Sequence, residues 1–157
     1  MDRSVDHPLV GGTEHWEAML EDAAATAEEY RERGWTALET RPGDVTVDPD
    51  LPGFTVLLAD NEFADLTDLL DESGVDNYRV YRGSAAGVML AVVALEATPE
   101  ERVALVPLYY SHARLPGLQS AAEEAGRLAT RLRTLDRTEF VVEHDDPDPF
   151  FPDPGDG

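Results

Sequence analysis

Residues 86–110 carry the longest apolar stretch of this 157-residue chain. Over residues 87–95 both alternating sets of side chains are apolar, and such a strand must be covered on both faces of its sheet. A polar break at residues 97–101 separates this run from a second β-rich run that ends at Tyr110. We predict that the two runs pair as antiparallel neighbours at the centre of a sheet.

Helical periodicity marks three other segments, in which apolar residues recur every three or four positions. The first helix is predicted over residues 13–33 and the last over residues 115–135. Between them, residues 63–70 form a shorter helix, for which Asp60 or Asn61 is the natural N-cap. Each helix has one apolar stripe, so all three are expected to pack on the sheet.

Four shorter strands complete the sheet. Residues 35–40 and 77–82 alternate between apolar and polar side chains, residues 54–59 have the composition of a second buried strand, and residues 138–143 form a last strand at an edge. Residues 45–47 are predicted to extend the pairing. The element order is then α-β-β-α-β-β-β-α-β, which indicates an α+β domain with a mainly antiparallel sheet of five to six strands. Apart from its last strand, this order matches profilin-like and roadblock-like domains, an analogy of element order alone.

The composition divides the chain into three parts. Residues 1–12 are predicted to form a flexible lead-in, and residues 13–143 a single α+β domain. Residues 144–157 are rich in Asp and Pro, a composition that is typical of a disordered tail. Within that tail, Phe150 and Phe151 either dock in a hydrophobic groove, of this domain or of a neighbour, or stay exposed to solvent.

Charge changes this picture most, since 33 acidic residues stand against 12 basic ones and the formal net charge is −21. Every one of the 12 is an arginine. Such an excess opposes compaction in dilute buffer, whereas the Debye length falls to about 3 Å in 1 M salt. We therefore interpret the acidic surface as an adaptation to multimolar salt. High salt weakens phosphate binding steeply, so nucleic acid is not an expected partner.

Residue types and motifs that the chain lacks exclude several functional classes. It has no cysteine, which removes disulfides, thiolate nucleophiles and Cys-ligated metal sites. No stretch approaches the roughly 20 apolar residues of a membrane span, and the N-terminal residues do not resemble a signal peptide. We therefore expect a cytoplasmic protein without membrane contact. Phosphate-loop, dinucleotide-binding and Gly-x-Ser-x-Gly motifs are absent, and no cofactor is predicted.

The densest group of reactive side chains lies between the second central strand and the last helix. It consists of Tyr109, Tyr110, Ser111, His112 and Arg114. These residues could line a pocket that binds a ligand, or form a small enzyme site in which His112 acts with Tyr110 or Arg114. The alternative is a strand end at which the tyrosines pack in the core and Ser111 or His112 caps a turn.

Three carboxylates suggest a further alternative. Asp60 and Glu62 follow a buried strand and Glu96 ends another, so the three could hold a metal ion in a nuclease-like site. The lysine that such nuclease sites usually contain is missing, and helix capping explains Asp60 without any chemistry. We therefore predict no metal site.

Half of the arginines gather toward the C-terminus, where they provide a place for a small anionic ligand or an acidic partner. They are Arg102, Arg114, Arg127, Arg131, Arg133 and Arg137. The alternative is pairing with nearby glutamates and with the negative end of the last helix.

Four segments carry a family resemblance. They are Trp16-Glu17 to Gly34-Trp35, Pro42-Gly43-Asp44-Val45, Pro107-Leu108-Tyr109-Tyr110-Ser111 and His144-Asp145-Asp146-Pro147. Through them, most of the chain resembles an uncharacterised family of haloarchaeal proteins. The resemblance implies a salt-rich habitat and a stand-alone single domain, and it transfers no catalytic residue.

The function is unknown from the sequence, and two classes remain. The first is a halophilic cytoplasmic binding or protein-interaction module that forms a homodimer through a sheet edge or an apolar helix face. The second is a small enzyme, in which His112 must meet another polar group within about 3 Å in a concave pocket.

Overall fold

The computed structural model describes residues 13–48, 52–70, 74–85, 88–136, 138–145 and 150, and the backbone alone for residues 13–16, 82–85, 88 and 112. Within these ranges, three α-helices and eight strands follow in the order α-β-β-β-α-β-β-β-α-β-β. Their bounds are α1 Thr13–Glu32, β1 Thr36–Glu39, β2 Asp44–Asp48, β3 Gly53–Leu57, α2 Asp60–Leu70, β4 Asn77–Ala85, β5 Val88–Ala97, β6 Arg102–Ser111, α3 Leu115–Ala125, β7 Leu128–Arg133 and β8 Glu139–His144. No helix in the described ranges is both long and apolar enough to cross a bilayer.

The first sheet confirms the predicted central pair. β5 and β6 are antiparallel, from Val88 opposite Ser111 to Ala97 opposite Arg102. β4 pairs antiparallel with the other edge of β5, and β1 lies parallel to β6, so the strand order is β1-β6-β5-β4. A single 3₁₀ turn, Thr98–Glu100, connects the two central strands.

The prediction of one mainly antiparallel sheet of five to six strands is wrong, because the other strands form a second four-stranded sheet. Its order is β2-β3-β7-β8, in which β3 and β7 are parallel and the outer pairs are antiparallel. Residues 45–47, predicted only as an extension, belong to the edge strand β2. At Gly53 the parallel strands approach so closely that a Cβ atom would lie 2.1 Å from the carbonyl oxygen of Ala129. Only glycine fits there.

The helix predicted over residues 115–135 is wrong beyond Ala125. Gly126 adopts a left-handed φ of 73° and ends α3. The chain then enters the second sheet as β7, between β3 and β8. Its inward residues alternate as in any strand and are all buried: Leu128, Thr130 and Leu132. The strands β2 and β7 are not part of a profilin-like or roadblock-like element order, so that prediction is wrong as well.

The helices α1 and α2 confirm the two predicted over residues 13–33 and 63–70, with α2 beginning earlier, at Asp60. α1 packs on β1, β5 and β6, and α2 packs on β1 and β6. The α1 stripe that faces the sheet is buried and consists of Met19, Ala23, Ala27 and Tyr30.

Residue parity in the first sheet shows which element lies on each face. Glu96 of β5 points toward α1 and accepts a hydrogen bond from Tyr30. Tyr78 of β4 and Arg102 of β6 pair with the residues on either side of Glu96, so they point to the opposite face. There Arg102 contacts α2, and Tyr78 contacts His144 of the second sheet. The layers are therefore α1, the first sheet, and α2 with the second sheet.

Candidate functional site

Tyr109 and Tyr110, at the end of β6, are both buried but point to opposite faces of the first sheet. Burial raises the pKa of Tyr109, and the Asp44 carboxylate on β2 raises it further. The hydroxyl of Tyr110 donates a hydrogen bond to the carbonyl oxygen of Phe150, 3.3 Å away, and its ring centre is 5.1 Å from that of Phe54. The two phenols therefore belong to different surroundings.

The turn that follows β6 holds the other residues of the predicted pocket. Ser111 Oγ accepts a hydrogen bond from the backbone N–H of Ala113 at 3.1 Å, inside the 3₁₀ turn His112–Arg114. Arg114 is exposed at the start of α3. The side chain of His112 lies outside the described part of the structure, so an enzyme site with His112 stays a prediction.

The three carboxylates of the alternative metal site are held apart. Asp60 is exposed at the start of α2, and both carboxylate oxygens of Glu62 accept from the backbone N–H of Arg41, at 3.1 and 3.2 Å. Glu96 is buried across the first sheet, against α1. Nowhere in the described ranges do three Asp, Glu or His residues group to hold a metal ion. The hypothesis that Asp60, Glu62 and Glu96 converge is therefore wrong.

Glu96 instead connects α1 to the first sheet. Its carboxylate accepts hydrogen bonds from the Tyr30 hydroxyl, from Asn77 Nδ2 at 2.7 Å and from Arg79 Nε at 3.2 Å. Glu96 is 4% exposed, whereas most of the Arg79 side chain lies in solvent. Burial, and then the bond to Glu96, raise the pKa of Tyr30 well above its usual value. These four residues, the Glu96 cluster, satisfy a buried carboxylate with three donors.

His144 lies on the opposite side of the first sheet, in aromatic surroundings. Its ring centre is 4.3 Å from that of Tyr78 and 4.8 Å from that of Phe150. Nε2 lies 2.8 Å from Thr130 Oγ1, whereas the buried Nδ1 has no hydrogen-bond partner among the described residues. Burial lowers the pKa of His144 to about 4, so the ring is neutral at pH 7. We name the residues around it the His144 cluster: Phe54, Tyr78, Tyr110, Thr130, His144 and Phe150.

Phe150 closes the His144 cluster from the C-terminal segment. It is 2% exposed, and its ring centre lies 5.8 Å from that of Phe54 and 6.1 Å from that of Tyr78. Of the alternatives considered for this residue, the structure shows docking on its own domain. Phe151 lies outside the described residues.

The sequence marks one residue of each cluster, although the spacing of apolar residues alone does not single it out. Glu96 is the one acid within residues 86–97, and a lone carboxylate in a strand buried on both faces requires donors. His144 continues the alternation of Phe140 and Val142, which places it on the inner face of β8. In each case the partners come from distant segments, so the pattern identifies the residue but not its role.

The C-terminal arginines are distributed over several elements. Arg102 Nη1 donates to a backbone carbonyl oxygen of α2 at 3.2 Å. Arg131 and Arg133, predicted near a helix end, lie half-buried on one face of β7. The others are Arg114 and Arg127, which are exposed, and Arg137, which is outside the described ranges. An anionic ligand or acidic partner at these arginines stays a prediction.

The fold defines the class of the protein as an α+β domain, built from two mixed four-stranded sheets and three helices. Residues 3–152 match a family of unknown function, DUF7529. Because this match covers most of the chain, the protein belongs to that family. No curated protein and no solved structure matches it.

Proposed function

We propose that the protein is a halophilic cytoplasmic interaction module that works as a homodimer formed through the free edge of β4. One observation carries the proposal, the charge of the edge strands in the two described sheets. β1, β2 and β8 each contain at least one carboxylate, whereas β4 contains none. A dimer buries the edge through which it forms, and an unpaired carboxylate buried there has a desolvation cost that salt does not remove, so a second copy covers an acid-free edge most favourably.

The length of β4 supports the same edge. β4 has nine residues, against four in β1, five in β2 and six in β8. It carries Arg79 and Arg82, and in the described ranges no strand pairs with the edge that faces away from β5. A long strand with unpaired N–H and C=O groups is a template for pairing with another chain.

Two-fold symmetry allows a second copy of this chain to pair with the free edge of β4. In an antiparallel β4 pair centred on Tyr81, Arg79 lies opposite Gly83 and Val80 opposite Arg82 of the second copy, so no like charges meet. The two first sheets then form one eight-stranded sheet, and the two-fold axis closes the assembly as a dimer. A β8 pair centred on Val141 would instead place Glu139 opposite Glu143.

Light scattering coupled to gel filtration in about 3 M KCl tests the dimer, because surface repulsion is screened there. The wild-type protein is expected at the mass of a dimer. Tyr81→Asp buries a carboxylate at the two-fold axis, a desolvation cost that salt does not remove, and is expected to yield a monomer. The matched control is Val141→Asp on β8, because Tyr81 and Val141 are similarly exposed, at 43% and 47%.

The control variant is expected to stay dimeric, and circular dichroism checks that both variants fold. A monomeric wild-type protein, or a dimer that survives Tyr81→Asp but not Val141→Asp, would refute the β4 interface.

The halophilic part of the proposal has its own test, a salt titration followed by circular dichroism. We expect cooperative folding to be lost below roughly 0.5 M KCl, where screening weakens. An unchanged spectrum in dilute buffer would contradict it.

A further inference from the structure

The His144 cluster contains a buried polar atom that makes no hydrogen bond with any described residue. Nδ1 of His144 is buried and has no hydrogen-bond partner in the described ranges, although Nε2 is 2.8 Å from Thr130 Oγ1. Buried polar atoms in folded proteins almost always have a partner, so an exception calls for a physical explanation. The ring nearest to this imidazole, apart from Tyr78, is the apolar ring of Phe150 at 4.8 Å.

Phe150 differs from the rest of the cluster in how it is held. The other five residues all lie in paired strands, and Phe54 is in β3, an inner strand of the second sheet. Phe150 follows β8 by six residues, and among the described residues it is held by ring contacts and by one hydrogen bond from the Tyr110 hydroxyl to its carbonyl oxygen. Because Phe150 is not part of either sheet, its displacement would break no strand pairing among the described residues.

We infer that Phe150 occupies the binding site of a small, neutral aromatic ligand that carries one hydroxyl or N–H group. The ligand ring replaces the Phe150 ring between Phe54 and Tyr78, and its polar group bonds to Nδ1 of His144. This site does not depend on the proposed dimer, since it lies on the inner face of the first sheet.

The chemistry of the cluster restricts the ligand to this class. Phenylalanine, tyrosine, threonine and a neutral imidazole carry no charge, so a charged ligand would be buried without a counter-charge. An aromatic ring suits the walls, because aromatic rings pack favourably with centroids about 4.5–7 Å apart. A hydroxyl can donate to Nδ1 or accept from it, so it satisfies either tautomer of His144.

Phenol and toluene are matched probes, since they differ in one hydroxyl group. Calorimetric titration of the wild-type protein and of Phe150→Ala, in about 3 M KCl to preserve the fold, measures both affinities. Phe150→Ala is expected to bind phenol at least roughly tenfold more tightly, because the ring no longer competes for the site. It should also prefer phenol to toluene by roughly fivefold, the effect of one added hydrogen bond.

Two further variants isolate the residues responsible. Adding His144→Leu to Phe150→Ala is expected to remove the preference for phenol while toluene still binds. Phe140→Ala, which removes a half-buried ring on β8, should leave phenol binding at the wild-type level. Equal affinities for phenol and toluene in Phe150→Ala, or no gain over the wild-type protein, would overturn the inference.

If Phe150→Ala does not fold, the wild-type protein still decides the question. Phenol at saturating concentration should displace the Phe150 ring and shift the nitrogen-15 signal of His144 Nδ1, whereas toluene should not produce the same shift. A Nδ1 signal that phenol leaves unchanged overturns the inference. Phe150→Leu provides a second comparison, with a smaller apolar side chain and an expected phenol affinity above the wild-type level.

Discussion

Glu96 and His144 are both buried polar residues beside the first sheet, but they differ in how fully their hydrogen-bonding capacity is used. On the α1 side, Glu96 accepts from three donors. On the side of the second sheet, His144 has one partner for its two ring nitrogens among the described residues. The first arrangement is complete without any ligand, whereas the second leaves one polar atom for a further molecule.

The two clusters also differ in charge. The Glu96 carboxylate is paired with Arg79, whose side chain is 61% exposed and keeps contact with water. His144 avoids a buried charge by remaining neutral, since burial lowers its pKa to about 4. Removing Glu96 therefore leaves donors without an acceptor, whereas protonating His144 creates a buried charge without a partner.

The largest expected effect is that of Glu96→Ala. It leaves the buried Tyr30 hydroxyl without its acceptor, opens a cavity and removes a charge pair, so we expect a loss of about 4 kcal/mol in the free energy of unfolding. Urea unfolding in high salt measures it. The control is Glu100→Ala, an exposed residue of the 3₁₀ turn, which should cost no more than about 0.5 kcal/mol. Equal losses in the free energy of unfolding for the two variants would contradict a structural role of Glu96.

Acidification is expected to have the next largest effect, through His144. Its pKa is about 4 in the folded state against a usual value of 6.5, so below pH 6.5 the unfolded state binds a proton that the folded state does not. Stability is complete above pH 6.5 and falls as the pH decreases toward 4, by up to about 3 kcal/mol. Unfolding of the wild-type protein and of His144→Leu at each pH isolates this contribution. Identical pH profiles for the two proteins would contradict it.

Tyr30→Phe sharpens the comparison on the α1 side. It removes one of the three donors to Glu96 and leaves the others in place, so we expect a cost of about 1.5 kcal/mol in the free energy of unfolding. Thr46→Val is the control, because Thr46 is exposed on β2, away from the Glu96 cluster, and its hydroxyl can bond to water. We expect that control to remain within about 0.5 kcal/mol of the wild-type protein.

The smallest effect is expected for His144→Leu at pH 7. The substitution removes one hydrogen bond but also removes the buried Nδ1, so the free energy of unfolding should fall by less than about 1 kcal/mol. Part of that cost comes from the Thr130 hydroxyl, which loses its partner. Adding Thr130→Val should recover this part, and a double variant less stable than His144→Leu would show that Thr130 has another role.

Local periodicity predicted the parts of the fold that depend on neighbouring residues. The stripe of α1 repeats every three or four residues, and the continuous apolar runs of β5 and β6 leave few alternatives to a buried antiparallel pair. Between Leu115 and Arg133 the same method failed, because leucines at helical spacing continue past Gly126 into a strand. The glycine that ends α3 was present in the sequence, but apolar spacing alone does not register it.

Pairing between distant segments could not be predicted. Division into two sheets depends on which strands meet, and alternation alone contains no information on partners. The same limit applies to the clusters, because Tyr30 is 66 residues from Glu96 and Tyr110 is 40 residues from Phe150. The predicted segment 109–114 included Tyr110, which lines the His144 cluster, but periodicity could not identify its partners.

Nitrogen-15 NMR of the His144 ring in the wild-type protein, at pH 7 and in about 3 M KCl, tests the contrast between the two clusters most directly. We predict a neutral imidazole whose Nδ1 signal shifts when phenol is added, while the carboxyl carbon signal of Glu96 stays unchanged. An imidazolium ring at pH 7, or a Nδ1 signal that saturating phenol does not move, would contradict the account.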